Sequence, residues 1–168
     1  LNLTDQPQAD DPGGINAAQA AANPSSARDR NVQFDGGEAL EQQRLGIVYT
    51  RERDAGSLTL RNYYAWREFA NKLPFVGGGS VDLDRYFFGT GAQYDFGALP
   101  DNLSLSVGID YDKQDDDRKR FDNNSGVLGP MVFDQNEVVD STGLYLQGQY
   151  AFNDAWTLLA GLRYDEIS

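Results

Sequence analysis

Residues 141–165 read STGLYLQGQYAFNDAWTLLAGLRYD. Leu144, Leu146, Tyr150 and Phe152 recur at every second position, interrupted only by Gly148, while Gln147 and Gln149 take the opposite phase. That is the period of a β-strand. Asn153 and Asp154 then reverse the chain, since both residue types hydrogen-bond their own backbone in tight turns. A second alternating run follows at once, with Trp156, Leu158, Ala160, Leu162 and Tyr164 on one face and Thr157, Gly161, Arg163 and Asp165 on the other. The stretch is an antiparallel hairpin whose apolar face carries rings near the turn (Phe152, Trp156), aliphatic side chains in the middle and Tyr164 at the far end. Rings at both ends of an apolar band suit the two interfaces of a membrane, where an amphipathic ring sits between lipid and water.

The 168 residues are enough for one soluble domain, so length alone does not demand a membrane. At 40% hydrophobic residues the composition also fits a soluble protein, but barrel strands are half polar and long loops dilute the average. No window approaches the run of about 20 apolar residues that a spanning helix requires. A net charge of −12 argues against nucleic acid, because the only basic cluster, Arg118–Arg120, directly follows three aspartates. With no cysteine and no histidine, disulfides, thiolate or imidazole metal sites and histidine general bases are ruled out, and no enzyme is expected. The chain opens at Leu1 without a basic leader or signal core, as expected of a mature segment or, the favoured reading, an interior fragment.

Residues 1–43 are rich in turn formers, among them Asp10-Asp11-Pro12-Gly13-Gly14, Asn23-Pro24 and Asp35-Gly36-Gly37. They read as one long extracellular loop, with room for a turn or two of helix in the alanine patch at 17–22, or as a disordered polar leader. Alternation starts at Arg44 and continues to the end, so 44–168 form the β segment. Six strands are expected near 44–53, 57–69, 83–96, 103–112, 141–152 and 155–166. The sharpest sets Leu103, Leu105, Val107, Ile109 and Tyr111 against Ser104, Ser106, Gly108, Asp110 and Asp112. Arg61 and Arg67 fall on the face opposite Leu58, Leu60, Tyr64 and Trp66, and such residues need water or acidic partners that a dry core lacks.

The connections alternate long and short: residues 1–43, 70–82 and 113–139 against tight turns near 54–56, 97–102 and 153–154. An all-β, antiparallel up-and-down meander of about six strands follows, a slice of a transmembrane barrel with long extracellular loops and short periplasmic turns. Tyr94, Phe96, Tyr150, Phe152 and Trp156 then collect at one edge, and Trp66, Tyr86, Tyr111 and Tyr164 at the other, as two aromatic girdles against outer-membrane lipid. A soluble sandwich also alternates, but does not require rings at both ends of each apolar band.

Three local patterns carry less. The acidic run Asp110–Asp117 lacks the Gly and terminal Glu of an EF-hand loop and reads as a solvated loop rather than a calcium site. Nothing fixes the separation of any carboxylate pair for glycosidase chemistry. The sequons at Asn2, Asn102 and Asn123 are short enough to arise by chance.

Asp11-Pro12-Gly13-Gly14, NVQFDGGE at 31–38, Gln43-Arg44-Leu45-Gly46, DNNSGVLG at 122–129 and above all GLYLQGQYAFNDAWTLLAGLRYD at 143–165 carry a likeness over the whole chain. The sequence resembles the barrel of TonB-dependent outer-membrane receptors, particularly the ferric-siderophore class. The resemblance implies a plugged barrel of 22 strands in the bacterial outer membrane. Such a barrel binds a ferric siderophore or similar chelate outside and passes it inward on energy relayed from the inner membrane. It also implies contact with the TonB complex through a plug region not included here. No cofactor is implied, since iron arrives only as siderophore-bound ligand. The loop residues Phe75, Arg118, Arg120 and Phe121 are the candidate ligand contacts, and the arginines suit an anionic chelate. Another outer-membrane barrel such as a porin, and a soluble all-β binding domain, are the alternatives.

Overall fold

The computed structural model describes residues 1–168 and shows seven strands rather than six. They are β1 (Asn2–Asp10), β2 (Gly37–Arg53), β3 (Gly56–Lys72), β4 (Ser80–Phe96), β5 (Leu103–Asn124), β6 (Val127–Asn153) and β7 (Trp156–Ile167). Each pairs with its sequence neighbour in one sheet of order β1 to β7. Two short helices, α1 (Ala17–Ala22) and α2 (Asp29–Gln33), lie between β1 and β2. No helix is long and apolar enough to cross a membrane.

The opening hairpin pairs as its alternation dictates. Leu144 opposes Tyr164, Leu146 opposes Leu162 and Tyr150 opposes Leu158, so the apolar residues of β6 and β7 share one face. The turn falls at Asp154-Ala155, one residue later than expected, because Asn153 still pairs with Trp156. The mechanism is the anticipated one: Asn153 Oδ1 accepts from the amides of Ala155 at 2.9 Å and Trp156 at 3.0 Å.

Two expectations are corrected. Residues 1–43 are not a single loop, since β1 pairs antiparallel with β2 from Asn2↔Arg44 to Asp10↔Gly37 and β2 itself begins at Gly37. The register shifts between Gln6 and Ala9, where Pro7 has no amide to give the ladder. The alanine patch does form a short helix, closed at its start by a capping box between Asn16 and Gln19. The 27-residue loop expected at 113–139 is instead the continuation of β5 and β6 around a two-residue turn. Ser125 (φ 53°) and Gly126 (φ 89°) both take positive φ, as a tight hairpin turn of primed type requires.

Very little of the apolar surface is covered. Phe34, Ala65 and Leu83 are the buried hydrophobic side chains, whereas Ile47, Ile109, Leu144, Leu158 and Leu162 stand exposed, Leu162 at 77%. A sandwich buries such a face under a second sheet, and here there is one sheet.

The chain divides into two compact units. One comprises Leu1–Arg44, Trp66–Tyr86 and Asp115–Glu137, and so holds the helices, the β3–β4 connection and the β5–β6 turn. The other comprises Leu45–Ala65, Phe87–Gln114 and Val138–Ser168, and holds the three tight turns that close β2–β3, β4–β5 and β6–β7.

Candidate functional site

In the second unit the face opposite the apolar one is a connected polar wall. Arg61 of β3 donates to Asp110 Oδ1 at 3.1 Å and to the Tyr145 hydroxyl at 3.2 Å, and that hydroxyl donates to Gln93 Oε1 at 2.9 Å. From β7, Arg163 reaches the other Asp110 oxygen at 3.1 Å and holds Asp165 from Nε. Tyr63 donates to Asp112 at 2.7 Å, and Ser106 to Asp95. The requirement that inward arginines find polar partners is met, by carboxylate and phenol for Arg61 and by the Gln42 amide oxygen, 2.8 Å from Nε, for Arg67 in the first unit.

Tyr63 and Tyr145, inward aromatics that simple alternation does not single out, are accommodated by glycines on neighbouring strands. A Cβ on Gly89 would stand 2.1 Å from the Tyr63 ring, and one on Gly108 would stand 2.2 Å from the Tyr145 ring. Inward glycine in an otherwise alternating strand was the signal available for them.

The nine rings assigned to the girdles differ in exposure. Tyr86, Phe96, Tyr150, Phe152, Trp156 and Tyr164 are exposed, and Trp66, Tyr94 and Tyr111 half-buried. Tyr94 packs edge-on to Phe96 at 4.9 Å and Tyr150 to Phe152 at 4.8 Å between centroids. Their phenols reach polar groups at strand ends, Tyr94 the Ala55 carbonyl at 2.9 Å and Tyr111 the Asp140 carboxylate.

In the first unit the long connections are tied together by Asn123, which is fully buried. Its Nδ2 donates to the carbonyls of Phe34 at 2.8 Å and Leu73 at 3.0 Å, and its Oδ1 accepts from the Gly126 amide at 2.8 Å. The end of α2, the β3–β4 connection and the β5–β6 turn are thereby joined at one side chain. Arg30 Nε adds a bond to the Pro74 carbonyl at 2.6 Å, and Lys72 pairs with Asp35 at 2.5 Å.

The candidate contacts are distributed over this unit. Phe75 is 37% exposed in the β3–β4 connection. Arg120 Nε donates to the Gly78 carbonyl at 3.0 Å, and Arg118 lies 3.7 Å from Glu137 and 4.0 Å from Asp116. Phe121 lines a cavity of about 410 Å³ whose walls include neither arginine nor Phe75. The acidic run 110–117 is strand rather than loop, and its carboxylates are individually partnered. Asp110 meets two arginines, Asp112 meets Tyr63, Asp115 meets Asn136 and Asp116 takes a bidentate pair with Arg85. No group of three or more acidic side chains is placed to hold a metal ion. Asp117 accepts from Lys119 Nζ at 2.7 Å, and this bond holds the ammonium above its ordinary range. On the ammonium side the pair therefore persists through neutral pH and weakens as pH rises past that raised value.

Residues 2–168 match the sequence pattern of the family described as TonB dependent receptor-like, beta-barrel. The chain belongs to that family. A TonB-dependent receptor barrel is a receptor and transporter scaffold rather than an enzyme, and the sheet here has an uncovered apolar face and a hydrogen-bonded polar one. The fold is also similar to the crystal structure of the ferric citrate transporter FecA in its unliganded form, with a TM-score of 0.74 and 19% identity. The match covers 95% of this chain and 25% of FecA, so these strands span about a quarter of that transporter.

Proposed function

We propose that this chain forms part of the wall and outer loops of a bacterial outer-membrane receptor that takes up a ferric siderophore or similar iron chelate, driven by the TonB complex through a plug region. The single observation that carries the reading is the two-faced sheet of a TonB-dependent receptor barrel, with an uncovered apolar face against a hydrogen-bonded polar one. An uncovered apolar face of this extent needs a covering phase, which for a barrel wall is lipid, and ladder hydrogen bonds satisfy every spanning backbone group only in a closed barrel. The tight turns then face the periplasm and the Asn123 cluster faces outward. The nine rings assigned to the girdles lie at the two lipid–water interfaces. The groups assigned to the ligand are Phe75 in the β3–β4 connection and Arg118, Arg120 and Phe121, which lie on β5 close to the β5–β6 turn rather than in the loop the sequence suggested. Iron enters as part of the ligand and not as a resident cofactor.

The reading is tested by deleting the gene for the complete receptor and measuring growth and radiolabelled iron uptake on a panel of ferric chelates under iron limitation. Loss of uptake of one chelate, restored by the receptor but not by a TonB-uncoupled form, is expected. Unchanged uptake of every chelate would overturn the iron assignment.

A further inference from the structure

Gly77, Gly78 and Gly79 follow one another in the β3–β4 connection, a composition that ordinarily leaves a chain mobile. Here the connection is pinned. Within it the Leu73 amide donates to the Gly79 carbonyl at 2.7 Å, the Phe75 amide to the Leu73 carbonyl at 2.8 Å and the Gly79 amide to the Val76 carbonyl at 3.0 Å. From outside, Asn123 gives its backbone amide to the Val76 carbonyl at 2.9 Å and its Nδ2 to that of Leu73. Arg120 and Asp122, two residues apart on β5 and so on one face of it, take Gly78 between them. Arg120 Nε donates to the Gly78 carbonyl at 3.0 Å, and Asp122 Oδ1 accepts from the Gly78 amide at 3.1 Å. Gly78 holds this pose at φ 67°, which a residue with a Cβ rarely adopts. A Cβ on Gly79 would stand 1.9 Å from the Phe75 carbonyl oxygen, so the loop closes directly on Phe75.

What the pinned segment displays is apolar, since Phe75 is 37% and Val76 48% exposed. Fixing a backbone costs conformational entropy, and side chains left in solvent do little to offset it. The fixing lowers the cost of binding instead, because a loop already ordered need not be ordered by its ligand. We infer that Asp122 is a positioning residue for ligand capture: by holding the Gly78 amide it keeps the loop in the conformation that presents Phe75. The inference rests on the reading above, in which Phe75 and Arg120 meet the ligand. Asp122 itself acts only through Gly78.

The experiment compares Asp122→Ala and Asp122→Asn in the complete receptor in detergent, by hydrogen exchange over residues 73–79 and by equilibrium binding of iron-loaded citrate, an iron-loaded trihydroxamate and an iron-loaded tricatecholate. Asp122→Ala should exchange faster over 73–79 and bind the chelate that the parent binds about two- to tenfold more weakly, the factor expected when a ligand must order a side chain and its loop. Asp122→Asn drops the charge but keeps an oxygen to accept from the amide, and should match the parent in both measurements. In a Phe75→Ala background Asp122→Ala should cause no further loss of affinity, whereas a general loosening of the receptor would weaken binding with or without that ring. Unchanged exchange over 73–79, unchanged affinity in Asp122→Ala, a loss that Asp122→Asn does not restore, or an equal loss in the Phe75→Ala background would each overturn the positioning role while leaving the uptake reading in place. A parent receptor that binds none of the three chelates would overturn the iron reading, and the role in capture with it.

Discussion

The side-chain amide of Asn123 donates to the carbonyl of Phe34 at 2.8 Å across 89 residues of sequence. The same nitrogen serves the Leu73 carbonyl, so one buried side chain bonds three connections at once. Asn123→Ala leaves two carbonyls and the Gly126 amide without that partner and should destabilise the cluster by about 1–3 kcal/mol. Hydrogen exchange on the complete receptor should then accelerate around residues 31–36, 73–79 and 123–127 and stay unchanged in β6 and β7. Exchange that rises evenly over all strands would show that Asn123 is not a local staple.

Asp116 and Arg85 form a second buried lock, with side-chain exposures of 1% and 19%. Asp116→Ala removes both bonds of the pair and should cost about 3 kcal/mol, whereas replacing both partners by apolar residues of similar volume should recover most of the loss. Equilibrium unfolding of the receptor and its variants from lipid vesicles measures both. Additive losses in the double variant would mean that the two residues act independently.

The two faces predict opposite tolerance of charge. Leu105→Arg puts a guanidinium on the lipid side and should cost about 2–4 kcal/mol at mid-depth. Ser106→Arg gives up one bond to Asp95 but sets the new charge beside that carboxylate, so its cost should stay below about 1 kcal/mol. The same vesicle unfolding assay compares them, and equal costs would mean that the faces are exchanged.

The strands with one apolar face were legible because a two-faced sheet imposes a period of two on them, as from Leu103 to Tyr111 and from Leu144 to Leu162. β1 was not, because NLTDQPQAD has neither an apolar phase nor a donor at Pro7, and only pairing with β2 makes it a strand. The outer halves of β5 and β6 failed for a related reason. Residues such as Asp115, Asp117, Lys119 and Asp134 keep both faces polar, so no apolar phase marks these strands and the Ser125-Gly126 turn was the only local sign. The candidate contacts were chosen as residue types in long connections, and Arg118, Arg120 and Phe121 instead lie on β5. Their surroundings were not legible, since Glu137 beside Arg118 and the Gly78 carbonyl at Arg120 are brought there by the hairpin and by the β3–β4 connection.

For the anionic-chelate reading, replacing Arg118 and Arg120 together by Ala in the complete receptor should weaken chelate binding by about 1–3 kcal/mol if both make charge-assisted bonds. Shortening the turn at Asp54-Ala55, carried by the other unit, should leave affinity alone. Equilibrium binding of iron-loaded chelates in detergent decides it. Unchanged affinity in the double variant would remove the arginines from the site.

The central claim is that one face of this sheet meets lipid, and it is tested most directly on β6. Single cysteines placed at residues 144–152 of the complete receptor, labelled with a short fluorophore and reconstituted with brominated lipids, report lipid contact residue by residue. Strong quenching at 144, 146, 150 and 152 and weak quenching at 145, 147, 149 and 151 is the predicted result. Quenching that is uniform along the strand, or strongest at 145, 147 and 149, would contradict it.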